Sequence, residues 1–451
     1  MDRIFSAPTV CNVEITQSCN QKCRHCYNYW RQSDIPTRTM TMGDMDRLIA
    51  RIVEAGIFHV ILSGGEPFLN FEVLEYGFKK LAENNISFSC NSNLVLASED
   101  KIKRLVDVGL DHILTSLNSH VPEVNDYMVN MNGAHERILR GIKLARKHGI
   151  RVSANMIIAE NNLDHVYETG LLAHNLGCQK LFATRTVPPV KVDDPSMTEF
   201  HLDKDMALKA LDEMLRIKAD TGIMIGTLVS YPLCLLGDLE KYADFVGRGC
   251  PSQSGHLMNI GVTGEVTACV HQADSYGNIF EHGIKDVYKN MRKWVSGDFH
   301  YKECLDCDYL DICRSGCRTS AHAYSDSFSG KDQLMTGREN ITISFKLGRN
   351  EAIIEAIKSG AKLTAPSRLR FREEDGFYLV NIRWANSITV PTNIALKLKE
   401  FSRSGEMFTL TDLGIENLNL AVQLFEKDAL ESKEINLDDQ RNMAGLSINI
   451  R

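Results

Sequence analysis

The chain reads as an α/β protein, a partial (β/α)6 barrel followed by an irregular cysteine-bearing region and a small α+β tail. Three observations predict it. Short apolar runs alternate with amphipathic segments about six times in the first half, the pattern that builds parallel sheets through right-handed crossovers. From Cys234 to Cys317 this periodicity gives way to loop-rich sequence punctuated by cysteines. After Ala365-Pro366 regular strand and helix patterns return. Periodicity alone does not separate a partial barrel from a doubly wound sheet. Both place their sites at the carboxyl ends of the strands. A length of 451 residues suits two to four domains, here divided at 1–225, 226–345 and 346–451.

The elements follow in order. Asn12–Thr16 reads as the first strand, Gly43–Ala55 as a helix, Phe58–Leu62 as a strand and Phe71–Glu83 as a helix. Ile86–Cys90 is strand-like and Glu99–Val108 helical; His112–Ser116, Val152–Ile158 and Lys180–Thr184 are three further strands, with helices between them. Asp203–Asp220 is a helix, Ser325–Gly337 a polar surface loop and Asn350–Ser359 a short helix. The tail reads strand (Phe377–Arg383), strand (Ser387–Val390), then helices at Asn393–Ser402, from Thr411–Leu413 onward, and at Leu418–Glu426. That order is winged-helix-like.

Composition bounds the function. Hydrophobic residues at 43% and charged residues at 24% are ordinary for a soluble globular chain. A net charge of −7 points to no nucleic-acid partner. No run approaches the roughly 20 apolar residues of a membrane helix, and MDRIFSAPTV lacks a signal-peptide pattern, so the expected compartment is cytoplasmic, with no membrane partner. Thirteen cysteines in a reducing compartment argue for metal or cluster ligands rather than disulfides.

Their spacing carries most of the information. Cys19-x3-Cys23-x2-Cys26, in CNQKCRHCYN, directly follows the first strand. Three thiolates so close can converge on one loop and hold a 4Fe–4S cluster with one iron left open, as a catalytic zinc site keeps one position free. From spacing alone a zinc site with His25 as fourth ligand is the other reading. The second strand runs into Ser63-Gly64-Gly65-Glu66-Pro67. There glycines allow close backbone approach, and a carboxylate can accept from an ammonium group.

Together these two motifs, some 40 residues apart, resemble the radical S-adenosylmethionine superfamily. The resemblance implies that Cys19, Cys23 and Cys26 bind a [4Fe–4S] cluster and that Gly64, Gly65, Glu66 and Pro67 meet the methionine moiety of S-adenosyl-L-methionine. It also implies reductive cleavage of that cofactor to methionine and a 5′-deoxyadenosyl radical, with an electron donor such as flavodoxin or ferredoxin. Further positions fit less closely. Ser92-Asn93 occupies the family's Thr-Asn-Gly position with Leu94 in place of glycine, and Ser116 and Asn118 align with Ser-Leu-Asp-Gly, Asn118 departing from aspartate. Asn93, Ser116 and Asn155 are candidate cofactor contacts, Arg185 a partner for the methionine carboxylate, and Tyr27 a neighbour of the adenine. Each also reads as a turn or solvated residue without a ligand role.

Cys250, thirteen residues, Gly264, four residues and Cys269 precede Cys304-x2-Cys307-x5-Cys313-x3-Cys317. This resembles the SPASM auxiliary-cluster domain, and a zinc ribbon is the bland alternative. By that resemblance Cys250, Cys269 and Cys317 ligate one auxiliary cluster, with Cys234, or else Asp244, as fourth ligand. Cys304, Cys307 and Cys313 hold another. Its final cysteine is absent, and Asp332-Gln333-Leu334-Met335 stands there instead. That implies an open iron, an unusual ligand such as Asp332, or a substrate thiolate. Cys11, Cys90 and Cys178 read as small buried hydrophobes.

Enzymes of this resemblance mostly modify peptides. The tail, RFREEDGFYLVNIRWANSITV with NIALKLKEF and FTLTDL, resembles units that recognise leader peptides by adding them as a strand to a sheet edge; a structural cap is the alternative. The expected function is modification of a precursor peptide by hydrogen abstraction, followed by thioether or carbon–carbon crosslinking or by rearrangement. Sulfatase-maturase-like formylglycine formation is disfavoured, because Val270 and His271 rather than an aspartate follow Cys269. A non-peptide substrate, a cluster carrier without turnover and a zinc-bound scaffold are the remaining alternatives.

Overall fold

The computed structural model describes residues 4–28, 36–187, 200–247, 249–342, 358–383, 386–416 and 418–432. Apolar runs of five or so residues become strands β1 (Val10–Glu14), β2 (His59–Ser63), β3 (Ser87–Asn91), β4 (His112–Ser116), β5 (Arg151–Ile158), β6 (Lys180–Arg185) and the short β7 (Met224–Gly226). All five residues of β1 are buried, as expected for a parallel strand covered on both faces. Between the strands lie α1 (Met42–Ala55), α2 (Phe71–Glu83), α3 (Glu99–Asp107), α4 (Pro122–Val129), α5 (Ala134–Lys147), α6 (Val166–Asn175) and α7 (Lys204–Thr221). The apolar face of α1, Met45, Leu48, Ile49, Ile52 and Ala55, is buried, the i, i+3, i+4, i+7 stripe of a core-facing helix. Thr41 and Asp44 form a capping box at its start, and Gly56 closes it in the left-handed conformation.

The region after β7 carries α8 (Leu233–Leu236), β8 (Leu257–Ile260), β9 (Val266–Thr267), α9 (Ile279–His282), α10 (Ile284–Asn290), α11 (Arg292–Val295), α12 (Leu310–Cys313) and α13 (Arg318–Ser325). The nine strands form one sheet in the order β7-β6-β5-β4-β3-β2-β1-β8-β9. β1 is parallel to β2 on one side and to β8 on the other; only β9 is antiparallel. The sheet is therefore open, with six consecutive βα strands extended at both edges. Because β8 is bonded to β1, the expected division at 225/226 falls within one compact unit, Met1–Ile343, and a second unit spans Ser344–Arg451. The segment Ser325–Gly337, expected on the surface, instead buries Asp332, Leu334 and Met335.

The second unit contains an antiparallel sheet of β10 (Arg370–Glu374), β11 (Phe377–Arg383) and β12 (Asn386–Pro391), then α14 (Thr392–Ser404), α15 (Leu410–Leu413) and α16 (Leu418–Glu426). Its core includes Leu363, Val380, Ile382, Val390, Leu398, Phe408, Leu413, Leu424 and Phe425. β10 escapes the sequence reading because RFREE looks like a charged loop. Its buried Arg372 and Glu374 satisfy each other at 2.8 Å. The helix expected at Asn350–Ser359 lies mostly outside the described residues.

Candidate active site and cysteine centres

At the carboxyl end of β1 the chain turns into the loop bearing Cys19, Cys23 and Cys26. The loop is fixed by its own backbone and by α4. Gln21 N–H points at Cys19 Sγ (3.4 Å), the Cys26 N–H donates to the Cys23 carbonyl, and the Arg24 N–H donates to the Met128 carbonyl. The Arg24 guanidinium lies 4.3 Å over the Tyr127 ring. His25, the nitrogen of the zinc reading, packs edge-on against Phe200 at 5.6 Å.

The glycine motif clasps this loop from β2. Gly65 N–H donates to the Thr16 carbonyl at 2.7 Å, and Glu66 N–H to that of Ser18 at 2.8 Å. A methyl group at Gly64 would lie 2.2 Å from Thr16 O, and one at Gly65 2.2 Å from Ser18 O. The glycines are thus required by the approach of the cysteine loop itself. Pro67 starts a short 3-10 turn capped by Glu66.

Glu66 is held by protein donors. Its carboxylate accepts from Phe68 N–H (2.9 Å), Ser92 Oγ–H (2.7 Å) and Asn93 N–H (2.8 Å). Three of about four acceptor positions are therefore used by protein donors, so Glu66 ties the loops after β2 and β3 together. Burial nonetheless raises its pKa. Asn93 reaches back to Asn20 Oδ1 at 2.9 Å, next to Cys19. Leu94 holds φ of +57°, the left-handed backbone that a glycine would take freely.

Ser116 and Asn155 are register partners on β4 and β5, and Asn155 Oδ1 accepts from the Thr184 hydroxyl at 2.6 Å. Asn118 is fully buried and its Oδ1 accepts from Ile157 N–H, a structural role. Tyr27, expected near an adenine, has its ring 4.9 Å from that of His271.

Arg185 is paired within the chain. Expected to pair with a cofactor carboxylate, it is 1% exposed and binds Asp332 with both arms, at 2.8 and 2.5 Å. Asp332, named as a ligand for the second auxiliary cluster, is likewise committed: besides Arg185 it accepts from Cys317 N–H at 2.8 Å and Leu334 N–H at 3.1 Å. Despite burial, the Arg185 charge holds its carboxyl below the usual range.

Cys250, Cys269 and Cys317 come together. Burial pushes the Cys269 thiol up to about 12, reinforced by the charges of Cys317 and Cys250. His271 Nδ1 is 3.3 Å from Cys269 Sγ. Asp244, the second-choice ligand here, is paired with Lys218 Nζ at 2.7 and 2.8 Å. Cys234, the first choice, is elsewhere: α8 carries it to the loop of Cys304, Cys307 and Cys313. All four line one cavity of about 450 Å³. The charge of Cys234 acts on both Cys304 and Cys313. The ten cysteines of these groups are partly exposed, whereas Cys11, Cys90 and Cys178 are buried. Among the described residues no three His, Cys, Asp or Glu are arranged to hold a single metal ion.

One buried acid has no place among the sequence-based expectations. Glu14, the last residue of β1, is 8% exposed, and burial lifts its pKa to about 8. Its charge, with those of Cys26, Cys19 and Cys269, bears on Tyr27, whose hydroxyl is raised chiefly by burial. Tyr27 therefore lies between the first cysteine loop and the Cys269 group. A carboxylate ending an otherwise apolar strand was the available signal.

Comparison with known proteins agrees with this architecture. Residues 13–173 match the Radical SAM superfamily. An AdoMet-dependent heme synthase of Methanosarcina barkeri is 24% identical over 73% of this chain and 96% of its own length. A PqqA peptide cyclase of Methylobacterium nodulans is 23% identical over 72% of this chain and 85% of its own. Among solved structures, Streptococcus suis SuiB bound to precursor peptide SuiA superposes with a TM-score of 0.59 at 16% identity, covering 73% of this chain and 76% of that one. Native anSMEcpe with bound AdoMet gives 0.58 at 17%, over 72% and 94%. Among the described residues no helix is long and apolar enough to cross a membrane.

Proposed function

We propose that this radical SAM enzyme modifies a precursor peptide, abstracting a hydrogen atom and then forming a crosslink or rearranging the chain. The observation that carries the reading is the clasped loop: three cysteines at the carboxyl end of β1, held by Gly64 and Gly65, with the Cys250, Cys269 and Cys317 group connected to it through Tyr27 and His271. Cys19, Cys23 and Cys26 would hold a [4Fe–4S] cluster with one iron left for S-adenosylmethionine. When bound, that pair supplies a 5′-deoxyadenosyl radical able to take hydrogen from an unreactive C–H.

The chain's own residues set the geometry. Glu66 fixes the loops after β2 and β3, Asn93 reaches the cysteine loop, and Ser116 and Asn155 stand on neighbouring strands. The later cysteines suit SPASM-type auxiliary clusters, because thiolates are soft ligands fitted to iron–sulfur sites. The peptide class rests on two relatives, a PqqA peptide cyclase and the SuiB fold bound to a precursor peptide. The tail supports it: in the three-stranded sheet β10 and β12 are the edges, the kind of edge to which an extended leader peptide adds.

A second reading has its own support. The heme synthase relative is covered almost end to end, which favours a tetrapyrrole substrate. Anaerobically reconstituted protein, given S-adenosylmethionine, a reductant and the peptide encoded beside its gene, should form 5′-deoxyadenosine and lower the peptide mass, by two hydrogens for a crosslink. An unchanged peptide with a porphyrin consumed in parallel assays would overturn the peptide reading in favour of the second.

A further inference from the structure

Where the sequence leaves the Cys304, Cys307 and Cys313 group one thiolate short, the structure supplies one from upstream. α8 is a single turn held against the segment after α13. Thr342 N–H donates to the Gly237 carbonyl at 2.8 Å, Leu239 N–H returns to Thr342, and the Thr336 hydroxyl donates to the Cys234 carbonyl. This docking brings Cys234 to the wall of the cavity that Cys304, Cys307 and Cys313 also line.

Main-chain donors point at the sulfurs. Thr336 N–H lies 3.4 Å from Cys234 Sγ, and Leu233 N–H lies 3.5 Å from Cys313 Sγ. Hydrogen bonds of this kind stabilise thiolates in iron–sulfur sites and tune their potential. The other oxygen ligand considered, Asp332, is engaged by Arg185 and two N–H groups. The cavity, about 450 Å³, is large for one ion. Four thiolates around such a space suit a multi-iron cluster better than zinc.

We infer that Cys234, Cys304, Cys307 and Cys313 together ligate a [4Fe–4S] cluster with no iron open to substrate. This rests on reading the later cysteines as iron–sulfur ligands, and it is independent of what the substrate is. Its consequence is a division of labour. A fully thiolate-bound centre can pass electrons but cannot grip a substrate thiolate. Any open auxiliary iron then belongs to the group of Cys250, Cys269 and Cys317, which retains three cysteines.

Iron and acid-labile sulfide in the purified, anaerobically reconstituted full chain test this without any turnover assay. Cys234→Ala and Cys304→Ala should each weaken the same cluster, with a loss of at most about four irons and four sulfides, and the double variant, left with two of its thiolates, should lose about four and no more. Cys234→Ala that keeps its iron and sulfide and leaves the electron paramagnetic resonance of every reduced auxiliary cluster as in the wild type would overturn the assignment, because a lost thiolate must change the cluster it served even where three thiolates still hold it. So would a double variant losing about eight, because Cys234 would then serve the other group. Zinc with no sulfide in the wild type would also overturn it. Should the alanine variants not fold, Cys234→Ser offers oxygen at the same place. It should keep the iron while shifting the electron paramagnetic resonance of one reduced auxiliary cluster, and spectra identical to wild type would contradict the proposal.

Discussion

Arg185 and Asp332, expected at a cofactor carboxylate and at a cluster, are bound to each other in the fold. At the mouth of a barrel a guanidinium is a natural partner for a carboxylate, and it has found one within the chain, 147 positions away. The pair is fully buried and holds the Cys317 amide through Asp332. It therefore links the end of β6 to the backbone of a cysteine centre. Leaving either partner alone in the interior strands a charge and costs about 3–5 kcal/mol, whereas replacing both with apolar groups of similar size is often far milder. Urea unfolding should thus show Arg185→Met and Asp332→Leu each strongly destabilised and the double variant closer to wild type. Additive losses would mean that the two side chains act independently. The same scale contains what sequence could not reveal. Whether Arg185 meets a cofactor or an aspartate is decided by long-range packing, and nothing in the spacing of LFATRT signals it. Cys234 is the parallel case, since its group is set by where one helical turn docks.

Strand β2 and its glycine turn carry the site at the level of elements. β2 pairs with β1 along its whole length, and the turn continues that pairing past the strands, through Gly65 and Glu66 N–H onto the carbonyls of Thr16 and Ser18. A side chain there must push the cysteine loop aside, because the contact it would meet is backbone. Gly65→Ala should therefore lower 5′-deoxyadenosine formation at least tenfold (about 1.4 kcal/mol or more in barrier) while leaving far-ultraviolet circular dichroism unchanged. Activity within twofold of wild type would show the clasp to be dispensable. Much of this level was legible. The helix Phe71–Glu83 and the strand His112–Ser116 have the predicted ends, because a Glu/Lys-flanked amphipathic stripe and a compact apolar run are strong local signals. The cysteine loop of CNQKCRHC and the turn Ser-Gly-Gly-Glu-Pro, expected at the ends of the first two strands, lie side by side in the structure. β8 and β10 carry no such signal. β8 is four residues in a cysteine-rich region, and β10 hides a buried ion pair inside a charged run.

For the molecule as a whole, one nine-stranded sheet carries all three cysteine groups in a single unit, with the first group at the end of β1 and the later two in the region that continues the sheet through β8. The continuity explains why the expected boundary at residue 225 is not a break: β1, the strand that feeds the first loop, is also the strand on which β8 builds. The second unit stands as its own fold with its own core. The proposed radical chemistry depends on Cys19, Cys23 and Cys26 leaving one iron free. Electron paramagnetic resonance of the dithionite-reduced protein, recorded with and without S-adenosylmethionine, tests this most directly. A cluster signal that changes on addition, and is missing from Cys23→Ala, is the predicted result. A spectrum indifferent to the cofactor, or one retained in full by Cys23→Ala, would contradict it.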